Sequence, residues 1–150
     1  MRLIHTADWH IGRQFHNVSL IEDQAYVLDQ LVELIAETGA QALLVAGDVY
    51  DRAVPPADAV RLLGDVLDRV ARGLGVPVVT IAGNHDSPDR LEFASALLAD
   101  GGLHLAGTVG NPPRAVTLAD EHGPVRFHLL PYAEPALVRQ CFEGCGAHSH

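Results

Sequence analysis

Three short segments of this chain combine side chains that could bind divalent metal ions. Each one follows an apolar run that predicts a β-strand. The segments are Asp8-Trp9-His10, Gly47-Asp48-Val49-Tyr50-Asp51 and Gly83-Asn84-His85-Asp86. In an open α/β sheet, ligands bind outside the carboxyl ends of the strands. The pattern therefore predicts that carboxylate, imidazole and amide groups meet at one edge of a parallel sheet.

Those residue types suit metal-assisted phosphate chemistry. A phosphodiester resists hydrolysis because its anionic oxygens repel a nucleophile, and a pair of divalent ions relieves that repulsion and activates water. Such a pair needs a bridging carboxylate, and Asp48 is the natural bridge because it lies in the middle segment. Asp8 and His10 suit the first ion, and the amide oxygen of Asn84 suits the second. His85 could orient the phosphate or protonate the leaving oxygen.

The combination of segments is more specific than any one of them. A D-x-H sequence occurs often by chance, and G-D-x-x-D can be a turn that merely uses glycine. G-N-H-D is stronger evidence, because Asn and His together after an apolar strand are unusual. All three in order, each at a predicted strand end, favour a two-metal phosphoesterase site over three ordinary turns.

Apolar periodicity predicts the elements that position these segments. Strands are predicted at 2–5, 42–46 and 76–82, and helices at 21–37, from Pro55-Pro56 onward, and from Ser87-Pro88 to Ala99. The second helix has an apolar stripe formed by Val60, Leu63, Leu67 and Val70. Residues 6–20 are predicted to be an irregular connection. Strands that alternate with helices favour parallel βαβ units with right-handed crossovers.

The pattern changes after residue 100. Short strands are predicted at 103–105, 115–118 and 125–130, with glycine and proline turns between them. No helix separates the last two strands, so we expect them to form a hairpin. Residues from Pro135 to Cys141 predict one more helix.

Composition limits the class of protein. The 150 residues are enough for a single domain, and 48% hydrophobic residues allow a sizeable core. No apolar run approaches the ~20 residues of a membrane span, and the first residues lack the apolar core of a signal peptide, so we expect a cytoplasmic protein. The net charge of −9 argues against a nonspecific basic DNA binder. It does not argue against a metal-dependent nuclease, whose acidic ligands are offset by bound cations.

The three segments resemble the motifs of the calcineurin-like metallophosphoesterase superfamily. Within it, His5-Thr6-Ala7-Asp8-Trp9-His10-Ile11-Gly12 is similar to the opening of the SbcD family of nuclease subunits, which serve SbcCD complexes in double-strand-break repair. Ala46 to Asp51 with Pro55-Pro56, Ala82 to Asp86, and Leu130-Pro131-Tyr132 fit the same family. The resemblance extends to about Val138.

The resemblance implies a fold, a reaction and partners. The fold would be a four-layer α/β/β/α sandwich, with its second sheet supplied by the late strands. The cofactors would be two manganese ions. The activity would be 3′→5′ exonuclease on double-stranded DNA together with single-strand endonuclease. The partners would be DNA, an SbcC-type ATPase subunit and a second nuclease subunit, in a heterotetramer. Asp8, His10, Asp48 and Asn84 match family metal ligands, and His85 matches the catalytic histidine.

One departure from the family concerns the end of the chain. The family has further histidine ligands, including a G-H-x-H motif, whereas Gly146-Ala147-His148-Ser149-His150 carries an extra alanine and comes early. Residues 1–150 are therefore predicted to be the N-terminal portion of one metallophosphoesterase domain, truncated at its C-terminal side. Cys141 and Cys145 with His148 and His150 could form a small zinc site, but the spacing fits no standard pattern, and free thiols are the preferred interpretation.

Arginines adjoin each predicted loop. Arg13, Arg52 and Arg90 are placed to contact a DNA backbone, and solvated surface arginine is the alternative interpretation.

Two other functions stay open. Another superfamily enzyme would act on phosphoprotein or a cyclic nucleotide, but Ala82 replaces the arginine, and Asp86 the glutamate, of Ser/Thr phosphatases. A non-catalytic fragment for dimerisation or partner docking would not need the intact ligand set.

Overall fold

The computed structural model describes residues 1–149. In chain order the strands are β1 (Leu3–Thr6), β2 (Gln14–Phe15), β3 (Val18–Ser19), β4 (Ala42–Ala46), β5 (Val78–Ile81), β6 (Leu103–Ala106), β7 (Ala115–Asp120) and β8 (Gly123–His128). The helices are α1 (Ile21–Thr38), α2 (Ala57–Asp68), α3 (Pro88–Leu91), α4 (Ser95–Ala99) and α5 (Pro135–Cys141). A π-helical turn, Arg69–Gly73, continues α2.

A four-stranded parallel sheet in the order β1-β4-β5-β6 is the centre of the fold. Its register aligns the strand ends, since Thr6 pairs with Val45, and Ala46 pairs with Ile81. The predicted parallel βαβ arrangement is confirmed. The loops that follow β1, β4 and β5 consequently leave the sheet at one edge, and they carry the three polar segments.

Both faces of the parallel sheet are covered. On one face, Leu43 and Val45 of β4 pack with the buried sides of α1 and α2. On the other face, Leu44 packs with Val79 of β5 and with Phe127 of the β7–β8 hairpin. Helices, parallel sheet and antiparallel hairpin form successive layers, as a strand with apolar residues on both faces requires. The predicted α/β class, with a second sheet from the late strands, is confirmed.

Helix α1 follows the prediction to within a residue. Leu28, Val32 and Ile35 are buried at three- and four-residue spacing and face the sheet. Gly39 ends the helix at φ +60°, in the left-handed region that glycine adopts without a Cβ penalty. No helix in residues 1–149 is long and apolar enough to cross a lipid bilayer.

The prediction for the second helix was wrong in two details. Pro56 precedes the first helical residue instead of belonging to the helix. Val60 is 48% exposed, whereas Ala59 and Val66 are buried beside Leu63. Successive helical residues differ by about 100° around the axis, so a stripe that contains Ala59 turns Val60 away from the sheet.

Two further predictions of local structure need correction. Residues 13–20, predicted to be irregular, contain the short β2–β3 hairpin, whose turn residues His16 and Asn17 both have positive φ, as in a type I′ turn. The helix predicted from Ser87-Pro88 to Ala99 is divided into α3 and α4 because Ala94 has φ +57°. Just before that break, the side chain of Glu92 binds the loop after β6.

Glu92 joins the α3–α4 segment to this distant loop. One carboxylate oxygen accepts hydrogen bonds of 3.0 Å from Gly107 N, Thr108 N and Thr108 Oγ1, and the other contacts Arg114. Burial alone would raise the pKa of Glu92, but these hydrogen bonds and the Arg114 charge lower it overall. The folded chain therefore favours ionised Glu92. This preference stabilises the fold at pH values above the ordinary glutamate pKa. The stabilisation is lost as the pH falls through the lowered pKa of Glu92 in the folded chain.

We predict that Glu92→Gln lowers the free energy of unfolding by about 1 kcal/mol at neutral pH, because the N–H groups of Gly107, which is buried, and Thr108 lose a charged acceptor. The difference from the parent should shrink as the pH falls below the ordinary glutamate pKa. Urea unfolding, from neutral pH to below the ordinary glutamate pKa, measures the difference in the free energy of unfolding between variant and parent. Glu33→Gln on the exposed side of α1 is the control. A difference that is absent at neutral pH, or that grows on acidification, would contradict the assignment.

Candidate metal centre

The loops after β1 and β4 run side by side beyond the sheet. We call residues 7–13 the β1 loop, residues 47–51 the β4 loop and residues 82–86 the β5 loop. Asp8 N donates to Gly47 O at 3.0 Å, and His10 N donates to Asp48 O at 2.9 Å. Ile11 N continues the ladder to Val49 O at 2.9 Å. The parallel pairing of β1 and β4 is thus prolonged into the two loops, which fixes the first two polar segments against each other.

The β4 and β5 loops are joined by side chains that bind each other's backbone. Asp48 in the β4 loop accepts a hydrogen bond from His85 N at 3.0 Å. Asp86 in the β5 loop accepts from Val49 N at 3.1 Å and from Tyr50 N at 2.9 Å. Each loop therefore supplies a carboxylate that satisfies amide groups of the other.

Two glycines allow these loops to touch. A Cβ on Gly83 would lie 2.1 Å from Asp48 Oδ1 and 2.3 Å from Asp48 N, so no side chain fits there. Gly47 has φ +88°, and a Cβ on it would lie 2.9 Å from Gly83 Cα. The glycines of the G-D and G-N-H-D sequences are required by this close approach of backbones.

The site also contains unusual backbone conformations. Asp8, His10 and Asp48 have φ of 58°, 44° and 50°, in the left-handed region that non-glycine residues seldom adopt. Each such residue costs of order 1 kcal/mol, and strain of this kind concentrates at functional sites. Here it occurs at three residues that the sequence selects as metal ligands.

The side chains form two adjoining groups that share His10. In the first, His10 Nε2 lies 3.8 Å from Asp8 Oδ1 and 3.8 Å from Asp48 Oδ2. In the second, His10, Asp51 and His85 each offer an atom within 4.8 Å of the others, and His10 Nδ1 is 3.7 Å from Asp51 Oδ1. Mixed carboxylate and imidazole donors suit divalent transition metals. In the described chain, His10 Nδ1 is also buried without a hydrogen-bond partner. The residues present therefore fit a metal centre.

Gln24 of α1 holds the β1 loop in place. Its amide nitrogen donates to Trp9 O at 3.1 Å and to His10 O at 2.7 Å. Its amide oxygen accepts from Gly12 N at 3.0 Å. One side chain thus satisfies backbone groups on both sides of His10. Sequence reasoning missed this residue, because an isolated glutamine on a helix gives no signal.

The His85 ring lies at the exposed side of the cluster. Its Nδ1 is 2.9 Å from the carbonyl oxygen of Asp51, and its ring meets the His10 ring edge-on at a centroid distance of 4.7 Å. The hydrogen bond to Asp51 raises the pKa of His85, and the carboxylates of Asp48 and Asp51 act in the same direction. The protonated imidazole is thereby favoured, as a proton donor requires.

The structure brings together most of the predicted site residues. Asp8, His10, Asp48 and His85 converge, and Asn84 is exposed beside His85 on the β5 loop. Their roles as metal ligands stay predictions. Asp51 was missed as a site residue, although its position after G-D, three residues past Asp48, was the available signal.

The predicted arginines divide into two sets. Arg13 Nη1 lies 4.0 Å from Asp51 Oδ1, at the rim of the cluster. Arg52 is exposed just after the β4 loop. Arg90 instead lines a cavity of about 310 Å³ between α2, the α3–α4 segment and the sheet, together with Tyr50 and Phe93. In residues 1–149, only Arg13 forms an ion pair with the cluster.

The C-terminal cysteines lie elsewhere. Cys141 and Cys145 are free and half-buried, and Cys141 Sγ contacts Val109 O at 3.4 Å. The potential metal groups of the described chain include neither these cysteines nor His148. His150, the other residue of the suggested zinc site, lies outside the described residues.

Comparison with known proteins identifies the family. The profile of the calcineurin-like phosphoesterases matches residues 1–137. The chain belongs to the calcineurin-like phosphoesterase family. It is also 33% identical over 150 residues to the SbcD component of the SbcCD nuclease of Staphylococcus saprophyticus subsp. saprophyticus, a match that covers all of this chain and 39% of that relative. This calcineurin-like phosphoesterase chain therefore spans about two fifths of the curated relative's length.

We predict that Gly83→Ala disrupts the metal centre of this calcineurin-like phosphoesterase, because the new Cβ would overlap a backbone atom of Asp48 as well as its carboxylate. Calorimetric titration with Mn²⁺ should show affinity reduced roughly tenfold or more. The control is Gly64→Ala in α2, where a Cβ meets nothing within 4 Å. It should bind Mn²⁺ like the parent, and parental affinity in Gly83→Ala would show that this contact does not position Asp48.

Proposed function

We propose that this chain is part of a metal-dependent DNA nuclease of the SbcD type. The observation that carries the proposal is the convergence of carboxylates and imidazoles from the β1, β4 and β5 loops around His10. Family membership supports phosphoester hydrolysis, and the name of the Staphylococcus relative supports a nuclease. When bound, two divalent ions, proposed to be Mn²⁺, would neutralise phosphoryl oxygens and lower the pKa of water.

The proposed ligand roles assign each side chain to one of the two ions. Asp8 and His10 would hold the first ion. Asp48 would be the carboxylate ligand shared by both ions; its Oδ1 accepts from His85 N, and its Oδ2 faces His10 Nε2 at 3.8 Å. Asn84 would contribute its amide oxygen to the second ion. Asp51 lies within 4.8 Å of His10 in the second group and adds a negative charge there.

His85 would act on the phosphate rather than as a ligand. Its Nδ1 faces the Asp51 carbonyl, so the proton on Nδ1 is held there and Nε2 is free to serve the substrate. An exposed, protonated ring beside the cluster can orient an anionic oxygen and donate a proton to the leaving group.

Arg13, whose side chain is 53% exposed, lies at the rim of the cluster and is proposed to contact the DNA backbone. Arg52 and Arg90 remain proposed phosphate contacts with weaker support.

We further propose activities and partners for the whole protein. As the resemblance to the SbcD family implies, the whole protein would have 3′→5′ exonuclease activity on duplex DNA and single-strand endonuclease activity, in DNA repair, recombination and replication, and we expect it in the cytoplasm. It would assemble with an SbcC-type ATPase and with a second nuclease subunit in a heterotetramer. Two large apolar side chains of the α3–α4 segment, Phe93 and Leu97, are 79% and 81% exposed. Their exposure supports a protein contact at this segment.

The alternative enzymes have less support. A phosphoprotein phosphatase or cyclic-nucleotide phosphodiesterase would use the same metals, but Ala82 and Asp86 depart from the phosphatase pattern. A non-catalytic docking fragment would not explain why strained backbone is retained at Asp8, His10 and Asp48.

Hydrolysis assays test the proposal. In Mn²⁺, we expect the whole protein, of which this chain is proposed to be a part, to cleave linear duplex DNA and to cleave little of a phosphopeptide or cyclic AMP. His85→Ala should bind Mn²⁺ yet slow DNA cleavage by roughly 10²- to 10⁴-fold. His122→Ala, in the exposed β7–β8 turn, is the matched control and should be unchanged. Preferential cleavage of either other substrate would support the alternative enzymes, and a whole protein that binds Mn²⁺ and cleaves none of the three would support a docking role.

A further inference from the structure

We propose that Asp86 is a positioning residue that holds the β4 and β5 loops in the arrangement that the metal centre requires. The inference rests on the proposed function, because it concerns the same centre. It assigns a role to the last residue of the G-N-H-D sequence, which belongs to neither of the two potential metal groups in residues 1–149.

The Asp86 side chain is buried among backbone amides. The residue is 5% exposed, and its two oxygens accept hydrogen bonds from Val49 N, Tyr50 N and Gly83 N at 3.1, 2.9 and 2.9 Å. In residues 1–149, no cation forms an ion pair with it. A buried carboxylate without a cation is costly unless its oxygens are hydrogen-bonded. Apolar packing therefore does not explain an aspartate at this position, whereas the need for a multiple acceptor does.

The three donors lie on both loops. Gly83 N belongs to the β5 loop itself, and the Asp86 side chain thus closes that loop on its own backbone. Val49 N and Tyr50 N belong to the β4 loop, between Asp48 and Asp51. Asp86 therefore sets the path of the backbone between the two carboxylates that face His10.

The bonds of Asp86 and Asp48 depend on one another. Asp48 Oδ1 accepts from His85 N only while the two loops remain in contact, and this leaves Oδ2 directed toward His10 Nε2 at 3.8 Å. If Asp86 released Val49 and Tyr50, the β4 loop could move away from Gly83. Asp48 and His85 would then lose their shared hydrogen bond, although in residues 1–149 Asp86 forms no hydrogen bond with either of their side chains.

The competing interpretation is that Asp86 only stabilises the fold. Glu92 offers a comparison, because its carboxylate also accepts three hydrogen bonds, those of Gly107 N, Thr108 N and Thr108 Oγ1 in a neighbouring loop, although Glu92 in addition contacts Arg114. Glu92 lies outside both potential metal groups. Asp86→Asn and Glu92→Gln thus remove comparable acceptors, one at the centre and one away from it.

The test combines Mn²⁺ calorimetry with urea unfolding of the 150-residue chain. We expect both variants to unfold at lower urea concentration than the parent. Only Asp86→Asn should weaken Mn²⁺ binding, by roughly 10- to 100-fold, as for residues that orient metal ligands. Asp86→Glu retains a charged acceptor and should recover part of that loss. Parental Mn²⁺ affinity in Asp86→Asn, or an equal loss in Glu92→Gln, would overturn the proposal.

Amide hydrogen exchange without metal gives an independent readout. The amide of His85 is the reporter, because it binds Asp48 and not Asp86. Asp86→Asn should speed its exchange together with that of Val49 and Tyr50, and Glu92→Gln should not. If Asp86→Asn does not fold, the same comparison is made with Asp86→Ser, which also removes the charged acceptor. Parental protection of the His85 amide in whichever of these two variants folds would overturn the proposal.

The two readouts separate this inference from the proposed function. A folded parent that does not bind Mn²⁺ would contradict the proposed function alone. The exchange of the His85 amide would still decide whether Asp86 positions the two loops.

Discussion

The exchange of hydrogen bonds between the β4 and β5 loops is the constraint on which the candidate centre depends. Asp48 accepts from His85 N, and Asp86 accepts from Val49 N and Tyr50 N. Backbone amides near a strand end lose the partners that the sheet would provide, and a buried amide without a partner is costly. Here those partners are carboxylates of the opposite loop, so the groups that satisfy the backbone also join two of the three polar segments.

The rest of the fold makes this exchange possible. Parallel pairing aligns the ends of β1, β4 and β5, and apolar layers bury both faces of the sheet. Gln24 of α1 secures the remaining loop by binding the carbonyl groups of Trp9 and His10. The strained backbone at Asp48 persists because surrounding hydrogen bonds determine it, which is how folded proteins retain such conformations.

Local patterns in the sequence predict much of this arrangement, and contacts between distant residues account for the remainder. Apolar periodicity gives β4 at Ala42–Ala46 and α1 to within a residue, and strand-end motifs give the convergence of Asp8, His10, Asp48 and His85. The break between α3 and α4 was missed because Glu92 binds Thr108, sixteen residues away, a contact with no local signature. The position of Asp51 beside the imidazoles depends in the same way on hydrogen bonds between loops.

The most direct test of a single metal centre is NMR of the ¹⁵N-labelled chain during addition of substoichiometric Mn²⁺, which broadens signals near the ion. We predict that amide signals of Asp8, His10, Asp48 and His85, which come from three loops, broaden together and first. Asp48→Ala, shown to be folded by its other signals, should lose this effect. Broadening spread over exposed acidic residues, or unchanged in Asp48→Ala, would contradict the proposal that these loops form one metal site.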